Sequence, residues 1–161
     1  MAALAIRLAR DTDAHPIAVM SRCLIELGLR GWSWNPARVT RAIRSRDTCV
    51  IVAETAHRIS GFAVAEFGDT RLHLSLLAVA ATHQRHGIGH ALMRWMEKSA
   101  ATAGITEIQL ELRANNASAK YFYQALGYQF VHAIPGYYRG EETAHKMHKE
   151  LRAHAVGPVN S

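Results

Sequence analysis

The stretch "THQRHGIGHAL", residues 82–92, decides how the rest of the chain is interpreted. It lies between an alternating apolar segment that ends at Val79 and an amphipathic segment that begins at Ile88. Glycine in the first turn weakens a helix, so Gly87 and Gly89 indicate that bare backbone is needed there. A strand, a glycine turn and a helix N-terminus together make an anion site, because unpaired backbone N–H groups and the helix dipole attract negative charge.

A simple turn and two known nucleotide-binding loops are the alternatives to an anion site of this kind. Arg85 and His86 add positive charge beside the glycines, but a glycine pair that merely makes a turn stays open. The P-loop pattern of nucleotide-binding proteins occurs nowhere in the chain. The dinucleotide fingerprint needs a small residue where Leu92 stands, although Glu111 lies about where that fold has its ribose-binding acid.

Composition predicts one globular domain with anionic partners. The chain has 161 residues, of which 49% are hydrophobic and 20% are charged, and its net charge is +6. Cys23 and Cys49 lie in apolar segments and are predicted to be buried free thiols in a reducing compartment. Neither a signal peptide nor an apolar run of the ~20 residues that span a bilayer is recognised, so we expect a cytoplasmic protein.

Hydrophobic periodicity predicts the element order β-α-α-β-β-β-α-β-α-β-β. The last two strands, 128–134 and 142–151, are expected to flank a turn with the sequence "PGYYRGE". The fold class is therefore α/β (α+β), with a mixed, mostly antiparallel sheet flanked by helices. One domain is expected over residues 1–151, followed by a flexible tail over 152–161.

Two segments at the right separation resemble a known family. The run Gln84-Arg85-His86-Gly87-Ile88-Gly89, after a strand ending "LAV", is similar to the acetyl-CoA loop of the GCN5-related N-acetyltransferases, the GNAT superfamily. The segment "LELRANNASAKYFYQALGYQFV", residues 110–131, resembles that family's next strand and helix. The similarity covers nearly all of residues 4–151 and departs at Ala80-Ala81, where many members have a proline.

The resemblance implies that acetyl-CoA is the acetyl donor and that backbone groups hold its pyrophosphate. The strand before the turn would offer backbone groups to the acetyl carbonyl and the pantetheine arm. The residues expected to bind acetyl-CoA are Leu77, Ala78, Val79, Gln84, Arg85, His86, Gly87, Ile88, Gly89, His90, Asn116 and Tyr123.

The catalytic residues implied by the resemblance are Glu111 and Tyr123. "LELRANN" is especially similar to the bacterial ribosomal-protein-alanine N-acetyltransferases, whose general base is the glutamate five residues before the motif asparagine, here Asn116. Glu111 would act through water, and Tyr123 would be the general acid that protonates the leaving thiolate. Spacing alone favours a solvated strand residue for Glu111, and it leaves open a packing role for Tyr123 and a helix cap for Asn116.

The acceptor is predicted from two aromatic pairs. Tyr137 and Tyr138 resemble the peptide-binding hairpin of N-terminal acetyltransferases, which favours a protein or peptide α-amine. Trp32 and Trp34 would instead wall a pocket for a small-molecule amine, or simply anchor their loop. The primary prediction is therefore a peptide N-terminal acetyltransferase, with a small-amine acetyltransferase as the alternative.

Other classes of function find less support in the sequence. Gly87 and Gly89 fall among the histidines of the turn, and no carboxylate or cysteine is spaced to complete a metal site, so no metal is expected at His83, His86 and His90. The 19 lysines and arginines are scattered, so a nucleic-acid-binding module is disfavoured. A non-catalytic CoA-binding domain is disfavoured because both expected catalytic residues are present. A homodimer through the C-terminal strands is left open.

Overall fold

The structure is a computed structural model that describes residues 3–151, and its helices and strands follow the predicted order. The elements are β1 (Leu4–Leu8), α1 (Ala14–Leu24), α2 (Pro36–Arg44), β2 (Thr48–Thr55), β3 (Arg58–Phe67), β4 (Arg71–Val79), α3 (Ile88–Thr102), β5 (Glu107–Arg113), α4 (Ala117–Ala125), β6 (Gln129–Tyr138) and β7 (Glu142–Glu150). Two short 3-10 turns, Asp11–Asp13 and Ala81–His83, precede α1 and α3. The expected tail lies outside the described residues.

The first of two compact units contains the described residues up to Phe67 together with Leu74–Met96. Its strands follow the order β1-β2-β3-β4, and β2 pairs antiparallel with both β1 and β3. The helices α1 and α2 supply apolar faces to a core that includes the fully buried Ile17, Val39 and Phe62. Helix α2 begins at Pro36, and the Asn35 side chain caps it by accepting a hydrogen bond from the Arg38 N–H.

The second unit contains Gly68–His73 and the described residues from Glu97 onward. Its strands follow the order β4-β5-β7-β6, and β7 pairs antiparallel with both β5 and β6. Along β5 the burial alternates: Ile108, Leu110 and Leu112 are buried, and the intervening polar residues are partly exposed. None of the helices in the described part of the chain is long and apolar enough to cross a membrane.

The expected turn between the last two strands is shorter than predicted, because β6 continues to Tyr138. The pairing of β6 with β7 shifts register between Ile134 and Tyr138, and Gly136 has a φ of 67° there. This bulge accommodates Pro135, since β6 is an edge strand and needs no donor from that residue on its open side. The aromatic pair therefore belongs to a strand and not to a turn.

The predicted burial of both cysteines is wrong for Cys23, which is exposed. The buried face of α1 is formed by Ala14, Ile17, Ala18 and Ser21, and Cys23 follows Ser21 by two residues, which turns it to the other side of the helix. Cys49 is partly buried, and its burial raises the pKa of the thiol.

Candidate active site

The glycine turn of the first unit has open space above its backbone. It joins the end of β4 at Val79 to the start of α3, and the Gln84 side chain donates a hydrogen bond of 3.1 Å to the Val79 carbonyl. Gly87 has a φ of 80°, and a Cβ built there would meet no atom within 4 Å. The turn therefore leaves room for a ligand beside its N–H groups.

A second glycine, Gly61 on β3, lets the start of α3 lie close to the sheet. A Cβ built on Gly61 would come within 3.0 Å of the Ala78 carbonyl oxygen, 3.1 Å of Ile88 and 3.2 Å of Leu92. Ile88 and Leu92 are buried, so apolar packing holds the first turn of α3 in place. The backbone N–H groups of that turn are thereby held in position.

Charge and conformation make this turn fit a phosphate group. Arg85 and His86 are exposed, and Arg85 holds a left-handed φ of 66° that costs a non-glycine residue free energy. The 15-residue helix that follows adds the positive end of its dipole. A glycine with open space beside it, a positively charged side chain and a helix N-terminus together suit an anionic group such as a pyrophosphate.

In the second unit, the Glu111 side chain on β5 accepts hydrogen bonds from two other side chains. Its Oε1 accepts hydrogen bonds from His73 Nε2 at 2.5 Å and from the Tyr137 hydroxyl at 2.9 Å. The Glu111 side chain is 11% exposed and that of His73 is 37% exposed. Across the strand pair, Glu111 stands opposite Lys146 of β7. The polar side of β5 thus holds a mostly buried carboxylate.

This environment shifts the pKa values of Glu111 and Tyr137 in opposite directions. Burial pushes the Glu111 pKa upward, but the hydrogen bond and charge of His73, the Tyr137 hydroxyl and the charge of Lys146 outweigh it, so the pKa lies below its usual range. Burial, with the charge of Glu111 and their hydrogen bond, raises the pKa of Tyr137 to about 12. Near neutral pH the carboxylate is ionised and the phenol is protonated.

The two predicted residues of the α4 region lie in the same unit as Glu111. Tyr123 is 7% exposed and packs edge to face against Phe122 and Tyr128, and burial raises its pKa well above the usual value. Asn116 caps α4, because its side chain accepts a hydrogen bond of 3.1 Å from the Ala119 N–H. The cap proposed from the sequence is therefore present, whereas a role of Asn116 toward the coenzyme stays a prediction.

The two tyrosines of the β6–β7 hairpin have different surroundings. The rings of Tyr137 and Tyr138 meet edge to face with centroids 4.9 Å apart. Tyr137 is 45% exposed but directs its hydroxyl to Glu111. The hairpin is tied to β5 by an ion pair between Arg113 and Glu142, with N–O distances of 2.6 and 3.0 Å. A peptide-clamping role for either tyrosine stays a prediction.

The two tryptophans expected near the acceptor are engaged within the first unit. Trp34 is 9% exposed and belongs to the core, and the indole N–H of Trp32 donates to the Ala18 carbonyl at 3.2 Å. The buried Glu26 accepts hydrogen bonds from the Ser33 and Trp34 N–H groups at 2.7 and 3.1 Å. These contacts favour the loop-anchoring role that the sequence left open, and a pocket wall stays a prediction.

The sequence did not indicate one residue that contacts Glu111, and the described side chains also bear on the question of a metal site. His73 lies on the partly exposed side of β4 by strand alternation, but nothing in the sequence indicated that it contacts Glu111. Among the described residues, no group of three or more His, Cys, Asp or Glu side chains is arranged to hold a metal ion.

Comparison with known proteins identifies the family. The profile of the family described as "Acetyltransferase (GNAT) domain" matches residues 29–151, well over half of the chain. This match makes the chain an acyltransferase. The chain belongs to the GNAT acetyltransferase family, which confirms the class expected from the acetyl-CoA-loop resemblance.

Individual relatives agree with this assignment. The chain is 33% identical over 112 residues to the uncharacterized N-acetyltransferase MJ1530 of Methanocaldococcus jannaschii, covering 69% of this chain and 71% of that protein. It is 31% identical over 90 residues to the ribosomal protein bS18-alanine N-acetyltransferase of Salmonella typhimurium, covering 54% and 61%. The match therefore spans less than two thirds of the Salmonella enzyme.

Solved structures share the fold at low sequence identity. Ard1 from Thermoplasma volcanium matches with a TM-score of 0.82 and 23% identity, covering 92% of this chain and 98% of that one. The ribosomal-protein-S18-alanine N-acetyltransferase of Escherichia coli gives 0.79 and 21%, covering 92% and 94%. PaiA N-acetyltransferase from Thermoplasma acidophilum, solved with coenzyme A, gives 0.78 and 19%, covering 92% and 99%. The expected fold class is confirmed.

Proposed function

We propose that this chain is an acetyl-CoA-dependent N-acetyltransferase that acts by direct transfer on a primary amine, in the first place the N-terminal α-amine of a protein or peptide. The observation that carries the proposal is the Glu111 carboxylate, which is nearly buried, ionised near neutral pH and bonded to a tyrosine of the β6–β7 hairpin. Such a group can take a proton from an amine that is held near the hairpin.

The donor would be held by the first unit. Acetyl-CoA supplies an acetyl group that is activated as a thioester. The N–H groups at the start of α3, the open backbone at Gly87 and the exposed Arg85 would bind its pyrophosphate, and Gln84 would fix the turn through its bond to Val79. The backbone from Leu77 to Val79 would hold the acetyl carbonyl and the pantetheine arm.

Glu111 would act as the general base. A peptide α-amine has a reference pKa of about 7.7–8.0, so it is mostly protonated, and not nucleophilic, at neutral pH. With its pKa below the usual range, Glu111 stays ionised and ready to accept that proton, but it holds the proton weakly. Relay through water, as expected from the sequence, suits such a base, since the proton then passes on to solvent.

Tyr123 would act as the general acid. Burial keeps its pKa well above the usual value, so the phenol is protonated at every pH at which the enzyme is assayed. A thiolate that leaves the thioester benefits from a proton, and no described residue forms a hydrogen bond with the Tyr123 hydroxyl that would compete for it.

The acceptor is proposed from the hairpin and from similarity to acetyltransferases of protein N-termini. Besides the bS18-alanine enzymes, the relatives include the catalytic subunit naa20 of the N-terminal acetyltransferase B complex of Schizosaccharomyces pombe, 30% identical over 83 residues. Tyr138 is partly exposed next to Tyr137 and offers a ring surface to the first residues of a peptide.

A small-molecule amine is the second candidate. It is favoured by similarity to the structure of nourseothricin acetyltransferase, with a TM-score of 0.62 and 28% identity, covering 65% of this chain and 66% of that one. In that case Trp32 and Trp34 would matter more than the hairpin.

Substrate length separates the two candidates. Acetyl-CoA turnover would be measured with an alanine amide, a tripeptide and a heptapeptide that share the same N-terminal residue, alongside a panel of small amines, and mass spectrometry would locate the acetyl group. We expect kcat/KM to rise sharply from amide to peptide, because remote contacts hold the amine at attack distance. Equal turnover of amide and peptide would favour the small-amine enzyme. If CoA binds but no amine is acetylated, the chain is a binding module.

A further inference from the structure

The Glu111 carboxylate is held through one of its two oxygens. Both hydrogen bonds that it accepts, from His73 Nε2 and from the Tyr137 hydroxyl, go to Oε1. Within residues 3–151 no group donates to Oε2. A carboxylate offers about four acceptor sites, so the side that carries Oε2 keeps its capacity to accept a proton.

The two donors reach Glu111 from opposite sides of β5. His73 lies on β4, the direct neighbour of β5 in the second unit. Tyr137 lies on β6, and because β7 stands between β5 and β6, its ring must extend across β7 to reach the carboxylate. Two side chains from separate strands thus converge on one atom, which fixes the rotation of the carboxylate plane.

We propose that His73 and Tyr137 are positioning residues that clamp Oε1 of Glu111 and thereby present Oε2 as the atom that accepts the proton of the amine. This inference rests on the proposed function, in which Glu111 is the base. It adds a histidine that no sequence motif indicated, and it gives Tyr137 a role toward the base instead of a role toward the peptide.

The clamp also sets the charge that surrounds the base. The groups that face Glu111 are His73 from β4, Tyr137 and Tyr138 from β6, and Lys146 from β7. Burial alone would favour the protonated carboxyl, and the donors reverse this preference. Loss of either donor therefore raises the pKa of Glu111 and leaves less of the base ionised.

The β6–β7 hairpin becomes part of the catalytic geometry through Tyr137. The strand bulge between Ile134 and Tyr138 lies immediately beside it, so a displacement of the hairpin would move the hydroxyl away from Oε1. Acceptor binding at the hairpin and the readiness of the base are then coupled through one hydrogen bond.

The test compares four variants of the full chain: His73→Ala, His73→Gln, Tyr137→Phe and, as the matched control, His148→Gln. His148 lies on the same face of the sheet and contacts Glu107, four residues before Glu111 on β5, at 3.3 Å. The measurements are the pH dependence of kcat, the Kd of CoA, and the titration of the Glu111 carboxyl carbon by ¹³C NMR.

We expect His73→Ala and Tyr137→Phe to lower kcat by roughly tenfold or more, the worth of one hydrogen bond to a charged group, without changing the Kd of CoA. Both should raise the Glu111 titration midpoint and move the acid limb of kcat upward. His73→Gln keeps an N–H donor but no ionisable ring, so kcat should largely recover while the midpoint stays raised. His148→Gln should behave as wild type.

An unchanged Glu111 titration in His73→Ala and Tyr137→Phe would overturn the clamp, whether or not kcat falls. The same variants are then made in a Glu111→Gln background. If the residues act through Glu111, they should cause no further loss there, and an additive loss contradicts the proposal. If Glu111→Gln itself has wild-type activity, the proposed function has failed and not only the clamp.

Discussion

Substitutions at Gly87 distinguish an effect on CoA binding from an effect on folding stability. Gly87 has a φ of 80° with nothing within 4 Å of a built Cβ, so Gly87→Ala costs only the left-handed backbone strain, about 1–2 kcal/mol. For a chain of this length, that lowers Tm by roughly 2–8 °C. Gly104 has a φ of 83° and equally open surroundings, so Gly104→Ala should cost the same.

Gly87→Glu adds a negative charge beside the proposed pyrophosphate. At a separation of roughly 6 Å in water, each phosphate charge is repelled by about 0.7 kcal/mol, and two charges give about 1.4 kcal/mol, a tenfold weaker Kd. At a CoA concentration 100 times the wild-type Kd, the stabilisation by CoA should fall from about 2.7 to about 1.4 kcal/mol. The rise in Tm on adding CoA should therefore be halved.

The assay is calorimetry of CoA binding together with thermal melts in the presence and absence of CoA. Gly104→Glu serves as the matched control, since it adds the same strain and charge at the far end of α3. Wild-type CoA affinity in a folded Gly87→Glu protein would refute the placement of the cofactor site. An equal loss of affinity in Gly104→Glu would refute the argument from local charge.

Three further predictions concern the acid, the buried loop anchor and the hairpin. Tyr123→Phe should lower kcat by ~10²–10⁴ with unchanged CoA affinity, and the wild-type enzyme should show no alkaline loss from this phenol, whose pKa is raised by burial. Glu26→Gln should lower the free energy of unfolding by about 2 kcal/mol in urea melts, because the glutamine NH2 would face one of the two backbone N–H donors and leave it unpaired, whereas the exposed Glu66→Gln should change it little. Tyr138→Ala should reduce peptide acetylation by a larger factor than it changes the Kd of CoA, and equal effects would count against a peptide clamp.

Much of the fold was predictable because it depends on local periodicity. Alternation along β5 placed Glu111 on the polar side, and the amphipathic spacing after Gly87 placed the start of α3. The bulge in β6 was not predictable, because it depends on the pairing with β7. The exposure of Cys23 was missed because apolar residues lie on several sides of α1, so the sequence does not show which side faces the core.

The candidate site was predictable only as separate pieces. Glu111 and Tyr123 followed from a family motif, whereas the contact of His73 with Glu111 joins residues 38 positions apart. That contact depends on the register of two strands, which no short-range signal in the sequence specifies. The bond between Tyr137 and Glu111 likewise requires the order of strands in the second unit.

The most direct test of the central claim, that Glu111 is the general base, is the pH dependence of kcat/KM for Glu111→Gln with a peptide acceptor. Glu107→Gln is the control, since Glu107 lies on the same side of β5 and bonds to Gln109 at 2.6 Å. We predict that Glu111→Gln loses ~10²–10⁴ in rate near pH 6.5, where the amine is protonated, and that the loss shrinks near pH 9, where the amine deprotonates unaided. Glu107→Gln should follow wild type at both values. A Glu111→Gln enzyme with the wild-type pH–rate profile would contradict the account.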